Sequence, residues 1–192
     1  KKVIVTLGTI VGEILIYKIN DSSSLSIRKV DKQNIKAHTN NIECIAVNRD
    51  GTLVATASES GTRINIYSTD TYNLVNTFQR GSMKKTIYGL CFNWDSSYLA
   101  CVCESGTIHY FDLVNDDNNP RSTIISYLSI FSSSVVSPKW SAYQFTINDL
   151  NSRVICEFSE NNIFHVVTYD GRYFRVPPGK EKASDACMLQ IN

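Results

Sequence analysis

Residues 37–81 read AHTNNIECIAVNRDGTLVATASESGTRINIYSTDTYNLVNTFQRG. Four apolar runs, Ile42–Val47, Leu53–Ala57, Ile64–Tyr67 and Leu74–Phe78, are separated by polar turns rich in Gly, Asp, Asn and Ser. Short β-prone runs between such turns spell a meander of four antiparallel strands. Asp50-Gly51 is the sharpest of these signals, because glycine supplies the positive φ that a tight hairpin needs. A four-stranded unit of roughly 40–45 residues is the size of one propeller blade.

The rest of the chain reads as neighbours of this blade. Residues 1–32 supply three strands that end one blade: Val3–Leu7, Gly12–Ile19 and a weaker Leu25–Val30. The unit described above fills 33–81, and the next spans 82–148 with strands at Ile87–Asn93, Tyr98–Cys103 and Thr107–Leu113. The stretches NRDGTLVATASESGTRINIYS and NWDSSYLACVCESGTIHYFDL correspond, and Ser-Gly-Thr recurs at 60–62 and 105–107, just before the third strand. Two copies at a blade-like period mark a repeat architecture. Trp94-Asp95 sits in a first turn, whereas WD repeats end their third strand on that dipeptide. A 25-residue excursion, 114–138, precedes an expected fourth strand at Trp140–Ile147. It opens polar, at Asn115–Pro120, and turns apolar at Ile124–Phe131; loops this long are uncommon and often functional. Residues 149–192 make the last blade, with Arg153–Phe158, Ile163–Tyr169, Tyr173–Val176 and a short Cys187–Ile191. The fold expected is therefore all-β, a WD-repeat-like β-propeller. With 192 residues the chain holds about four blades. Lys1-Lys2 runs straight into an apolar strand with no partner before it, so the reading is the C-terminal portion of a longer propeller.

Composition narrows the function. A net charge of +1 gives no polyelectrolyte footprint for nucleic acid, and no apolar run reaches a membrane span or a signal core. The six cysteines sit mostly inside strand-like runs, which reads as reduced, buried thiols in a cytosolic protein. Cys101, Cys103 and His109 lack the paired spacing of a zinc site, and no metal or cofactor is expected. No nucleophile elbow, phosphate-cradling glycine loop or HExxH motif is present, so no enzyme is expected.

Phe78-Gln79-Arg80-Gly81 makes the reading specific. A blade ending in this tetrapeptide, preceded by AHTNNI and DGTLVATASESGT and followed by IYGLCFN and GTIHYFDL, resembles the PROPPIN family. These are the seven-bladed WIPI-type propellers of autophagy, whose signature there is Phe/Leu-Arg-Arg-Gly. The likeness extends through GEILIYKI, KWSAYQF and the ICEF…YDGRYF segment, and on it the chain runs from inside blade four to the end of blade seven. The resemblance implies a peripheral adaptor that binds phosphatidylinositol 3-phosphate or the 3,5-bisphosphate through two shallow rim sites. It also implies an apolar loop dipping into the bilayer, here Tyr127, Leu128, Ile130 and Phe131. Implied partners are phosphoinositide-containing membranes and autophagy proteins such as a lipid-transfer protein. The implied location is cytoplasmic, on phagophore, endosomal or vacuolar membranes.

Residue by residue, the first implied site is depleted of charge. Gln79 stands for the motif's first Arg and Asn65 for a third-strand Arg, while His38, Thr56 and Ser58 keep polar character. Arg63, two residues before Asn65, points to the same side of its strand. The second site keeps Arg80 and His109 with Thr107, but presents Cys103 and Ser105 where Ser and Lys are implied. Lys84 and Lys85 add positive charge beside it. The expectation is a working second site and a nearly silent first. Without the motif, Arg80 reads as a strand-end residue pairing with Asp95 or Glu104, and His109 and His165 as structural histidines. A protein–protein scaffold with decayed lipid sites is the competing reading.

Overall fold

The structure is a computed structural model that describes residues 2–20, 29–114, 138–176 and 187–190. Four twisted sheets follow one another along the chain. The first has the order β1 (Lys2–Leu7), β2 (Glu13–Asn20), β3 (Lys29–Lys36). The second contains β4 (Ile42–Val47), β5 (Leu53–Ser58), β6 (Arg63–Ser68) and β7 (Leu74–Gln79) as an antiparallel meander. The third contains β8 (Ile87–Phe92), β9 (Tyr98–Cys103) and β10 (Thr107–Asp112); it is closed by β12 (Tyr143–Thr146), which pairs with β10. The fourth is β13 (Val154–Phe158), β14 (Phe164–Thr168), β15 (Arg172–Val176) and β16 (Cys187–Gln190). Edge strands β4, β8 and β13 lie side by side, so the second, third and fourth sheets radiate like blades from a shared inner edge.

Two expected strands are placed differently. The strand expected at Leu25–Val30 runs instead over Lys29–Lys36, where Ile35 packs towards the core. Residues 29–36 are mostly polar, yet an edge strand tolerates charge and is protected by it. The strand expected at Trp140–Ile147 is broken in two. Lys139–Trp140 (β11) pairs in parallel with Phe78–Gln79 on the second sheet, and only Tyr143–Thr146 joins the third. The crossing is made at Ser141-Ala142, where the Ala142 amide donates to the Tyr110 carbonyl at 2.8 Å. The apolar run at 127–131, with Tyr127, Leu128, Ile130 and Phe131, lies outside the described residues.

Burial explains the layering. Alternation sends one set of side chains from each sheet to each neighbour. Val54 and Tyr67 of the second sheet pack with Ile14 and Ile16 of the first. Ala55, Ala57, Ile64, Ile66 and Phe78 pack with Leu99, Cys101, Cys103 and Phe111 of the third, and the rings of Phe78 and Phe111 stack at 4.7 Å. Val102, Ile108 and Tyr110 pack with Phe158, Phe164 and Val166 of the fourth.

Polar turns repeat with the sheets. Asn48 Oδ1 accepts from the amides of Thr52 and Leu53, and Asn93 Oδ1 accepts from the amide of Tyr98. Asp50 and Asp95 each accept a hydroxyl two residues on, from Thr52 and Ser97. Asp95 thus caps its own turn and is not the partner of Arg80. The turns are also linked across blades, since the Asn48 amide donates to Ser96 and the Asn93 amide to Asn162. On the opposite rim, Gly61 (φ 60°) and Gly106 (φ 77°) end the second-to-third-strand turns. A Cβ on Gly61 would lie 1.7 Å from the Lys85 carbonyl oxygen, and one on Gly106 would lie 2.1 Å from that of Ile147. At both positions only glycine lets the linker into the next segment pass this close.

Candidate functional site

Strand register sets up two equivalent crevices on the glycine rim. Thr56 pairs with Asn65 across β5 and β6, and Cys101 pairs with His109 across β9 and β10. Thr56 and Ser58 share a face with Val54, so they look towards the first sheet. Cys101 and Cys103 pack in the cluster formed with the second sheet. The first crevice therefore lies between sheets one and two, and the second between sheets two and three.

The first crevice is a closed polar network. His38 Nε2 lies 3.0 Å from Thr56 Oγ1, and the Thr56 hydroxyl donates to the Asn65 carbonyl at 3.3 Å. The Asn65 amide donates to the Ala37 carbonyl at 2.8 Å, while its side-chain oxygen accepts from Thr77 at 3.1 Å. Ser58 turns to Ser60, with their hydroxyl oxygens 2.9 Å apart. Burial pushes the His38 pKa down against the opposing pull of its bond to Thr56. Arg63 is exposed, and its Nε donates to Gln79 Oε1 at 3.4 Å, while the Gln79 amide donates to the Gly81 carbonyl. The structure thus brings His38, Thr56 and Asn65 together and sets Arg63 with Gln79 at the mouth.

The second crevice concentrates charge and sulfur. Arg80 is only 8% exposed; its Nε donates to the Gly61 carbonyl at 2.7 Å and its Nη2 to the Met83 carbonyl. Those bonds use two of the five N–H donors of a guanidinium. His109, 5% exposed, has Nδ1 at 3.3 Å from Ser141 Oγ and lies over the Phe111 ring at 6.2 Å. Cys101 and Cys103 are fully buried beside them. The two thiols interact: burial drives Cys101 far up, while hydrogen bonding from Cys101 draws Cys103 down against burial, with help from His109 and Arg80. At the rim the Ser105 hydroxyl donates to Thr107 at 3.3 Å. Lys85 lies 3.8 Å from Glu104, and Lys84 is exposed. Among the described residues no His, Cys, Asp and Glu cluster could hold a metal ion.

The sequence reading omitted three contributors. Thr77 could be found from the pairing of β7 with β6, since Thr77 faces Asn65. Cys101 is two residues from Cys103 on one strand face, the same alternation that paired Arg63 with Asn65. Ser141 follows the long excursion and carries no local signal. His165 is structural, its Nδ1 meeting the Tyr173 hydroxyl.

The profile of the PROPPIN family matches residues 5–167. The chain belongs to the PROPPIN family. PROPPINs are adaptors and not enzymes. Autophagy-related protein 18 of Phaeosphaeria nodorum is 38% identical over 115 residues, 60% of this chain and 26% of that protein. Autophagy-related protein 21 of Kluyveromyces lactis is 53% identical over 81 residues, 40% of this chain and 21% of that one. The solved structure of Hsv2 from Kluyveromyces marxianus matches with a TM-score of 0.67 at 26% identity, over 90% of this chain and 49% of its own. A complex of KlAtg21 with the coiled-coil of AgAtg16 matches with a TM-score of 0.60 at 27% identity, over 97% of this chain and 56% of that chain. The all-β propeller fold expected from the sequence is thereby shown. The chain spans about a quarter of the curated relatives it matches and about half of the solved chains.

Proposed function

We propose that this PROPPIN segment carries one working phosphoinositide site, the second crevice, and acts in autophagy as a peripheral membrane adaptor. The observation that supports this most is the convergence of Arg80 and His109, from adjacent sheets, on one crevice at the glycine rim. A phosphate bound there exchanges with the Met83 carbonyl for guanidinium donors, gaining charge-assisted hydrogen bonds worth about 1.5–3 kcal/mol each. Ser105 and Thr107 offer hydroxyls at the mouth, and exposed Lys84 favours an anionic surface. One such headgroup contact holds a membrane weakly, so a second anchor is required; the apolar run at 127–131 supplies it. The first crevice contributes little, because its polar groups already satisfy one another and, among the described residues, Arg63 is the cation at its mouth. The cytoplasmic face of phagophore, endosomal or vacuolar membranes is the location that follows.

Liposome flotation tests the reading. Vesicles with 3-phosphorylated phosphatidylinositol should float the protein more strongly than plain vesicles, and Arg80→Gln should remove the difference. Equal flotation of wild type with both vesicles defeats it. A second reading, a protein-binding scaffold with silent lipid sites, is favoured by the engagement of Arg80 with Gly61 and Met83. The KlAtg21 complex with a coiled-coil gives that reading a model partner. Under it, Arg80→Gln leaves flotation unchanged and coiled-coil capture intact.

A further inference from the structure

The linker out of the second sheet runs along the lip of the second crevice. Its ends are tied to the glycine turn: the Arg80 amide donates to the Thr62 carbonyl at 2.8 Å, and the Lys85 amide donates to the Ser60 carbonyl at 3.3 Å. Between these ties Ser82, Met83 and Lys84 are exposed, Met83 to 69%. We propose that Met83 is a lipid-facing anchor at the lip of the crevice, entering the interface of an anionic bilayer when Arg80 engages a phosphoinositide headgroup. This rests on the reading of the second crevice as a phosphoinositide site.

A lone exposed apolar side chain is ordinary on a protein surface and carries no meaning by itself. Met83 differs in what holds it and what surrounds it. The nearly buried Arg80 guanidinium donates through Nη2 to the Met83 carbonyl, so the side chain that would meet the headgroup also fixes the residue at the lip. A Cβ placed on Gly81 would meet nothing within 4 Å beyond its chain neighbours, so the start of the linker borders open space. Lys84 follows Met83 and is exposed, while Lys85 lies 3.8 Å from Glu104 and offsets that carboxylate at the same lip. An apolar tip beside outward positive charge is the pattern that holds a protein at the boundary between headgroups and acyl chains. The fold does not force this exposure. In the linker out of the third sheet, Leu150 is buried and packs with Ile147 in the core shared by the third and fourth sheets. The linker out of the second sheet turns its apolar residue to solvent instead.

Vesicle binding and soluble-headgroup binding separate this anchor from the crevice behind it. The probes are phosphatidylcholine and phosphatidylserine vesicles bearing 3-phosphorylated phosphatidylinositol, and soluble inositol 1,3-bisphosphate in titration calorimetry. Met83→Ser should bind the vesicles at least about 5-fold more weakly than wild type, yet bind inositol 1,3-bisphosphate within about 2-fold of it. Met83→Leu, which keeps the apolar surface, should match wild type on both probes. Met83→Trp should show fluorescence quenched by brominated acyl chains beyond that of Trp94 and Trp140 in the wild type. Equal vesicle binding by wild type and Met83→Ser would overturn the anchor. An equal loss for vesicles and soluble headgroup would overturn it too, since the effect would then lie in the crevice itself. So would a vesicle-bound Met83→Trp with no added quenching. The crevice reading fails differently: wild type then binds no inositol 1,3-bisphosphate and holds plain and phosphoinositide vesicles alike, and the anchor falls with it.

Discussion

The two crevices share a scaffold and differ in what fills it. Each is framed by a positive-φ glycine under a linker carbonyl, and each places two side chains of one strand opposite one side chain of the next. In the first, hydroxyl and amide groups meet His38 and saturate one another. In the second, two buried thiols take the place of the hydroxyls, and Arg80 is held by the Gly61 and Met83 carbonyls. Repetition of the backbone therefore fixes where the two clusters stand, while a handful of side chains decides which polar groups fill each.

The largest effect should come from the shared scaffold. Gly61→Ala and Gly106→Ala each force a Cβ into a linker carbonyl at a positive φ, and each should lower stability by about 3 kcal/mol in urea unfolding. Gly81, with open space around it, should accept alanine within about 0.5 kcal/mol. A large difference between Gly61 and Gly106 would break the equivalence of the crevices. Next, Arg80→Leu strands the Gly61 and Met83 carbonyls and should cost about 2 kcal/mol, whereas Gln79→Leu beside it should cost under about 0.5. Thermal melts of the pair sharpen the contrast between a buried guanidinium and a half-buried amide. Asn65→Leu unpairs the Thr77 hydroxyl and leaves the Ala37 carbonyl to the Tyr67 hydroxyl alone, and about 1 kcal/mol of destabilisation should follow.

The smallest effect is a pH slope confined to the first crevice. Burial holds the His38 pKa below its unfolded value near 6.5, so the unfolded chain takes up a proton first as pH falls. Stability contributed by neutral His38 is complete above that value and is lost as pH drops through the folded pKa. Unfolding midpoints between pH 7.5 and 5 should fall more in wild type than in His38→Gln. Parallel curves would remove His38 from the network.

Most of the fold was legible because the strands alternate and their turns carry Asn, Asp and Gly at fixed offsets. Ile42–Val47 was read with its bounds as found, and Tyr98–Cys103 likewise. What escaped was governed by partners distant in sequence. Lys29–Lys36 is a strand because β2 offers it an edge, in spite of its polarity. Trp140 leaves its own blade because β7 has an unfilled edge at Phe78–Gln79. In the site, the tetrapeptide and the resemblance to PROPPINs pointed to Arg80 and His109, but no local pattern announced the carbonyls that hold Arg80 or the serine beside His109.

That two-residue parallel strand has a mechanical meaning. The chain departs from the third sheet after Asp112 and comes back on the second at Lys139, before Ser141 touches His109. A force applied to the chain between those two points is delivered to the seam between two blades and shared by both, beside Arg80 and His109.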